Sequence, residues 1–289
     1  RIKHSLCDKT VLVTGAGGSI GSELTRQLAS VCSSHLVLFD QSEYNLYKIH
    51  EEMIERFPDV KITPVLGDVC DAAAAKHVFE TFKPSAVFHA AAYKHVPLLE
   101  GQVREAIKNN ALGTRIIADL AHKTGAAKFV LISTDKAVNP SSLMGACKRV
   151  AEIYCQQLAS ISSTNFITVR FGNVLGSAGS VVPKFQEQIK QGGPITVTHP
   201  EMTRYFMTIT EATQLILEAS AMGEAGSIYV LDMGQPVLIS QLAEQLIRLS
   251  GKEPGAEIEV VYTGLRPGEK LHEELFHNEE NLSDTDYEK

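Results

Sequence analysis

Short apolar runs alternate with amphipathic stretches five times over the first 170 residues, and no other property of the chain narrows its fold so far. The runs Val11–Val13, Leu36–Phe39, Ile62–Leu66, Ala86–Phe88 and Phe129–Ile132 are bounded by turn residues or charge. Such segments read as strands buried on both faces. Between them, Ser19–Ser30, Ser42–Phe57, Asp71–Phe82, Val103–Lys123 and Ser141–Leu158 carry helical patterns. In the second of these, Leu46, Ile49, Met53, Ile54 and Phe57 recur at helical spacing. The alternation predicts an α/β fold: a doubly wound parallel sheet with helices on both faces. Ile167–Arg170 predicts a sixth strand.

After Phe171 the rhythm breaks. Residues 172–193 are rich in Gly and Ser. Beyond them Ser180–Gln191, Glu211–Ala221 and Ser240–Ser250 read as helices, and Ile195–Val197, Ser227–Leu231 and Ile258–Val261 as strands. The looser spacing predicts a smaller domain set against the first, with a polar, loosely held end from Asn278 to Lys289. A chain of 289 residues buries roughly 75% of its unfolded surface, enough for one large domain or two unequal ones. A net charge of −7 without a Lys/Arg block argues against a nucleic-acid-coating protein. Five cysteines (Cys7, Cys32, Cys70, Cys147, Cys155) show no C-x-x-C spacing, and all five are expected as small buried apolar residues in a reducing compartment. No run approaches about 18 uninterrupted apolar residues, so none is expected to span a membrane. The start at Arg1 rather than Met fits a piece of a longer polypeptide.

Thr14-Gly15-Ala16-Gly17-Gly18-Ser19-Ile20-Gly21 follows the first strand and opens the first helix. The spacing is G-x-x-G-x-x-G (Gly15, Gly18, Gly21). Glycines there let the backbone approach a pyrophosphate seated on free N–H groups at a helix N-terminus. Asp40 ends the second strand 19 residues after Gly21. A carboxylate at that position accepts both ribose hydroxyls of NAD and repels the 2′-phosphate of NADP; capping the next helix is the alternative, although Ser42 could cap instead. Asp68, in Gly67-Asp68-Val69 after the third strand, either reaches an adenine edge or orders its turn.

Further along, His89-Ala90-Ala91-Ala92-Tyr93-Lys94-His95-Val96-Pro97 follows the fourth strand and Ser133-Thr134-Asp135-Lys136-Ala137 the fifth. Arg170-Phe171-Gly172-Asn173-Val174-Leu175-Gly176-Ser177 and Leu265-Arg266-Pro267-Gly268-Glu269-Lys270 come later. With the glycine turn, these motifs resemble the extended short-chain dehydrogenase/reductase superfamily over nearly the whole chain. Within it the chain resembles the UDP-N-acetylglucosamine 4,6-dehydratases of bacterial polysaccharide biosynthesis. The resemblance implies a Rossmann-type NAD-binding domain over 1–172 and 206–233, and a smaller discontinuous substrate domain over 173–205 and 234–289. It implies that Ser19, Ile20, Val69, Ala90 and Ala91 join Gly15, Gly18, Gly21, Asp40 and Asp68 around the cofactor.

Superfamily members carry Tyr-x-x-x-Lys on the helix after the fifth strand; here those positions hold Met144 and Lys148. Four residues apart, they share a helix face. Lys148 is expected on the nicotinamide ribose, with a salt bridge to Glu152 as the alternative. Met144 exchanges no proton; a subset of membrane-associated 4,6-dehydratases is similar in having Met there. The proton of the sugar hydroxyl is then left to Asp135, to Thr134 as a relay, or to Lys136 if its pocket lowers its pKa. The resemblance implies oxidation at C4′ by NAD, removal of the C5′ hydrogen by Lys136, protonation of the departing C6′ hydroxyl by Asp135, and hydride return to C6′.

The same resemblance places Arg204 and Arg266 on a diphosphate, where Arg offers bidentate hydrogen bonds; surface arginine is the plain alternative. It places Asn173, Lys184 and Thr196 at the nucleotide, Glu269 on ribose or in its own turn, and Lys94 and His95 at the ligand-facing edge. His89 is expected to be a buried structural residue. A UDP-sugar is thus the expected substrate. A homo-oligomer is the expected assembly, with no nucleic-acid partner and membrane contact only through an N-terminal region outside this chain. The expected location is cytoplasmic, alone or as the cytoplasm-facing part of an inner-membrane protein. A nucleotide-sugar 4-epimerase or reductase, and an inactive NAD-binding protein, are the competing readings.

Overall fold

The computed structural model describes residues 6–31, 35–285, 287 and 289. The chain begins with β1 (Thr10–Thr14), α1 (Ser19–Val31), β2 (His35–Asp40), α2 (Glu43–Arg56), β3 (Ile62–Leu66), α3 (Ala72–Phe82) and β4 (Ala86–His89). Two short helices, α4 (Val96–Glu100) and α5 (Val103–Ala106), lead through a π-helical segment (Ile107–Gly113) into α6 (Thr114–Thr124). There follow β5 (Lys128–Ile132), a 3₁₀ turn (Asp135–Ala137), α7 (Leu143–Ala159), β6 (Asn165–Arg170), β7 (Asn173–Leu175), α8 (Val181–Lys190) and β8 (Ile195–Val197). The rest comprises β9 (Thr203–Arg204), β10 (Phe206–Thr208), α9 (Ile209–Met222), β11 (Ile228–Val230), β12 (Val237–Leu238), α10 (Ile239–Leu249) and β13 (Val260–Tyr262).

Seven strands form one sheet in the order β11-β6-β5-β4-β1-β2-β3, and every pairing in it is parallel. This is the doubly wound, Rossmann-type order, with its switch point between β1 and β4. Two apolar layers flank the sheet. Leu24 and Leu28 of α1 with Ile49 and Met53 of α2 pack on one face, and Phe79, Ile117 and Ala151 on the other. A separate core (Phe185, Ile189, Ile195, Val197, Ile239, Ile247 and Ile258 among its members) joins α8 and α10 to β8, which pairs with β13.

Several expectations need correction. β3 is not buried on both faces: it is the sheet edge, Leu66 is 57% exposed, and Pro64 sits where no inner-strand donor is required. Ile54 is exposed, because it follows Met53 directly and a 100° step rotates it off the buried stripe of Leu46, Ile49 and Met53. The span 103–123 is not one regular helix but α5, the π-helical segment and α6. Cys147 and Cys155 are buried free thiols and Cys70 is half-buried, but Cys7 is disulfide-bonded, for which an odd count leaves room. Cys32 lies outside the described residues. Among the described residues no helix is long and apolar enough to cross a membrane, and no group of three or more His, Cys, Asp or Glu is placed to hold a metal ion.

Candidate active site

In a parallel sheet all strands end on the same edge, so the loops after β1, β4 and β5 converge there. Gly15 has φ +65°, a left-handed backbone, and a Cβ on it would lie 2.7 Å from the Ala91 nitrogen. At Gly21 a Cβ would lie 2.0 Å from the Gly15 oxygen. Both glycines are therefore demanded by the chain's own packing. Gly18 differs: its added Cβ would meet only the Gly15 oxygen, at 3.2 Å, so the cradle there is open to an incoming group. A cleft of about 220 Å³ lies over it, lined by Gly15, Gly18, Asp40, Val69, Ala90 and Ala91, and also by Gln41, Asn45, Tyr93 and Asn109.

Asp40 accepts from the Gly17 N–H through Oδ2 and from the Ser42 N–H through Oδ1, both at 2.8 Å. It thus joins the glycine turn to the start of α2, while Ser42 caps that helix. Asp68 orders its own turn, accepting from the Cys70 N–H at 2.8 Å. It is Val69 and not Asp68 that lines the cleft. Ser19 opens α1, its hydroxyl accepting from the Ala178 N–H at 3.2 Å, and Ile20 packs against the core.

His89 is fully buried, as expected, and its tautomer follows from its neighbours. Thr114 Oγ1 donates to the Asn110 carbonyl (2.8 Å), so it accepts from His89 Nε2–H (3.0 Å). Nδ1 then accepts from Thr14 Oγ1 at 2.7 Å. Burial holds this imidazole neutral, its pKa pushed down to about 3. Asn110 grips Tyr93 at both N–H and C=O, each at 2.8 Å, and so pins the loop after β4.

The second cluster lies after β5. Thr134 and Lys136 reach the surface while Asp135, between them, is fully buried. Thr134 Oγ1 donates to Asp135 Oδ1 at 2.9 Å, and Lys136 Nζ donates to the same oxygen at 3.0 Å and to Asn173 Oδ1 at 3.1 Å. Asp135 Oδ2 is buried with no hydrogen-bond partner. Glu273, which its sequence context does not mark, completes the group: its Oε1 stands 3.9 Å from Lys136 Nζ and 3.9 Å from Arg204 Nε.

Met144 and Lys148 share a buried face of α7. Met144 packs with Val96, Leu99, Ala106 and Cys147. Lys148 Nζ donates to the Ile132 carbonyl at 2.5 Å, and burial drives its pKa down to about 8. It forms no salt bridge to Glu152, whose carboxylate is taken by Arg170 and Arg149.

Of the remaining residues, Lys94 Nζ donates to Ser177 Oγ at 3.3 Å, and burial, then the charge of Lys136, lowers its pKa. His95 lies under Gly179, where a Cβ would come within 2.6 Å of its ring. Lys184 lies near Arg266, whose guanidinium donates to Glu269 at 2.6 Å. Burial lowers the pKa of both His95 and Lys184, helped by Lys94 and Arg266 at His95 and by Arg266 at Lys184. Arg204 is buried and donates to the carbonyls of Thr203, Leu271 and Lys270, so its donors serve the chain itself. Thr196 is engaged through N–H and hydroxyl by the Gln188 amide.

The family described as polysaccharide biosynthesis protein matches residues 11–289. Over 290 residues the chain is 52% identical to the capsular polysaccharide biosynthesis protein CapD of Staphylococcus aureus, covering 100% of this chain and 48% of that protein. It is 48% identical to the probable polysaccharide biosynthesis protein EpsC of Bacillus subtilis, covering 96% and 47%. The chain thus spans about half the length of these curated relatives. A UDP-glucose 4-epimerase of Rickettsia canadensis is 34% identical, with 94% of this chain and 79% of that one covered. Among solved structures, Pen from Bacillus thuringiensis superposes with a TM-score of 0.87 at 34% identity, covering 94% and 82%. The dTDP-glucose 4,6-dehydratase DesIV from Streptomyces venezuelae, solved with NAD and TYD bound, has a TM-score of 0.79 at 22% identity, covering 93% and 87%, a likeness of fold alone.

Proposed function

The chain belongs to the polysaccharide biosynthesis protein family, and from that premise we propose that it is an NAD-dependent nucleotide-sugar 4,6-dehydratase acting on UDP-N-acetylglucosamine. The observation that carries this reading is the Thr134–Asp135–Lys136 turn: a buried carboxylate between a hydroxyl and an ammonium, at the ligand-facing edge of the sheet, beside a helix with Met144 where a tyrosine would exchange protons. Glycosyl oxidation there needs a proton acceptor, and Asp135 behind Thr134 supplies one.

The open cradle at Gly18 and the carboxylate of Asp40 fit a dinucleotide with free ribose hydroxyls, which favours NAD over NADP. When bound, NAD supplies a hydride acceptor for C4′ and the donor for C6′. The chain's own residues move the protons. Thr134 passes the O4′ proton to Asp135. Lys136, as the free amine, takes the C5′ hydrogen, and Asp135 returns its proton to the departing C6′ hydroxyl, which leaves as water. Lys136 then restores its proton to C5′. The O4′ proton thus ends in the water and the pair finishes as it began. Lys148 orients the nicotinamide side, and Lys94, His95, Asn173, Lys184, Thr196, Arg266 and Glu269 form the substrate side, while Arg204 holds the segment after Lys270 in place. Residues 1–172 with 206–233 form the cofactor domain, and 173–205 with 234–289 the substrate domain. The protein works in the cytoplasm as a homo-oligomer.

The similarity to a UDP-glucose 4-epimerase supports a second reading, epimerisation at C4′. NMR of the product formed from UDP-N-acetylglucosamine in deuterated water separates the two: a 4-keto-6-deoxy sugar labelled at C5′ is expected, and a 4-epimer would replace this proposal by the second. Asp135→Asn should lose dehydration by at least about 100-fold while binding NAD normally. Normal turnover by that variant would remove Asp135 from its role.

A further inference from the structure

Nothing in His272-Glu273-Glu274 distinguishes the two glutamates, yet the fold separates them. Glu274 is exposed and bonds Asn139 and Lys270. Glu273 is 7% exposed, its Oε2 is buried without a partner, and its Oε1 faces Lys136 and Arg204. Two buried carboxylates, each with one unpartnered oxygen, therefore flank a single lysine ammonium. A half-satisfied polar cluster is costly to keep and is found where function requires it.

The geometry points to Glu273 as a positioning residue for Lys136: its buried carboxylate shares the ammonium with Asp135, holds Nζ in place and opposes the loss of its charge. This rests on the reading of Asp135 and Lys136 as the proton-transfer pair. The charged groups facing Glu273 are Asp135 and Lys136 from the 3₁₀ turn, Arg204 from β9 and Lys270 from its own segment. Burial raises the Glu273 pKa, Lys136 opposes that rise and Asp135 adds to it. A carboxylate 3.9 Å from an ammonium favours the charged form of the amine by Coulomb attraction. A neutral amide does not, so Glu273→Gln must let Lys136 deprotonate at lower pH.

The test is trace acylation of Lys136 against pH on the full chain without substrate, read by mass spectrometry of the Lys136 peptide. The midpoint should fall by about one pH unit or more in Glu273→Gln, and part of the way in Glu273→Asp, whose carboxylate stands one methylene back. In turnover, the acid limb of kcat/KM should move down by the same amount. A merely structural role would lower kcat and leave both midpoints in place, which overturns the inference. Should Glu273→Gln not fold, Glu273→Asp decides by the same criterion. If the wild-type chain yields no 4-keto-6-deoxy product, the functional reading fails while the acylation midpoints still decide the role of Glu273.

Discussion

Lys148 lies wholly inside the protein, with its ammonium on the Ile132 carbonyl and the fully buried His89 close enough to feel its charge. Desolvation brings its pKa to about 8, against 10.5 in the unfolded chain. Between those two values the unfolded state binds the extra proton, so raising the pH favours the folded state. The wild type should gain up to about 3 kcal/mol relative to Lys148→Met across that window. Urea midpoints followed by circular dichroism at several pH values check this, and parallel curves for the two proteins would show that Lys148 keeps its charge on folding. That Lys148 shares a buried helix face with Met144 was legible in their spacing, since residues four apart on a helix face one way. Glu273 was not legible, because its burial depends on chain 137 residues distant, around Lys136.

The loop after β4 depends on a π-helical segment for its shape. A π turn accommodates one extra residue without a visible break in the apolar pattern, which is why the sequence reads 103–123 as one helix. The extra residue turns Asn109 and Asn110 inward, both buried, and Asn110 satisfies the N–H and C=O of Tyr93. Asn110→Ala leaves those two groups unpaired and should cost about 2–4 kcal/mol. Because Tyr93 and Asn109 line the cleft over Gly18, the same change should weaken NAD binding by calorimetry more than Asn45→Ala does, Asn45 being a lining residue with no such hold on the loop. Equal losses would mean that the segment only packs. The strands and their glycine turn, by contrast, were readable directly: buried parallel strands are continuously apolar, and a glycine crowded to 2.0 Å leaves no other residue possible.

At the scale of the whole molecule, the sheet and the C-terminal segment are tied by one buried cation. Arg170 at the end of β6 is fully buried, bonds Glu152 of α7 at 2.8 Å, and reaches out to Glu280 at 2.9 Å. Glu152 in turn accepts from Ser133, at 2.6 Å, one residue before Thr134. Lys270 adds a bond to the Val138 carbonyl, and Asn139 bonds both Glu274 and His277. The segment carrying Glu273 is thus fastened to the same loop that carries Asp135 and Lys136. Removing one partner of a buried pair costs far more than the pair's net worth, because the other charge is left stranded. Arg170→Met should therefore lose about 3–5 kcal/mol, while Arg170→Met with Glu152→Met recovers most of it. The chain has no tryptophan, so the transition is best followed by circular dichroism. In the single variant the segment after residue 270 should become protease-sensitive at urea concentrations that leave the sheet folded; in the wild type both should be lost together. If cleavage in Arg170→Met still waits for the sheet to melt, the carbonyl bonds from Arg204 and Lys270 hold the segment without Arg170, and its coupling to the sheet runs through them.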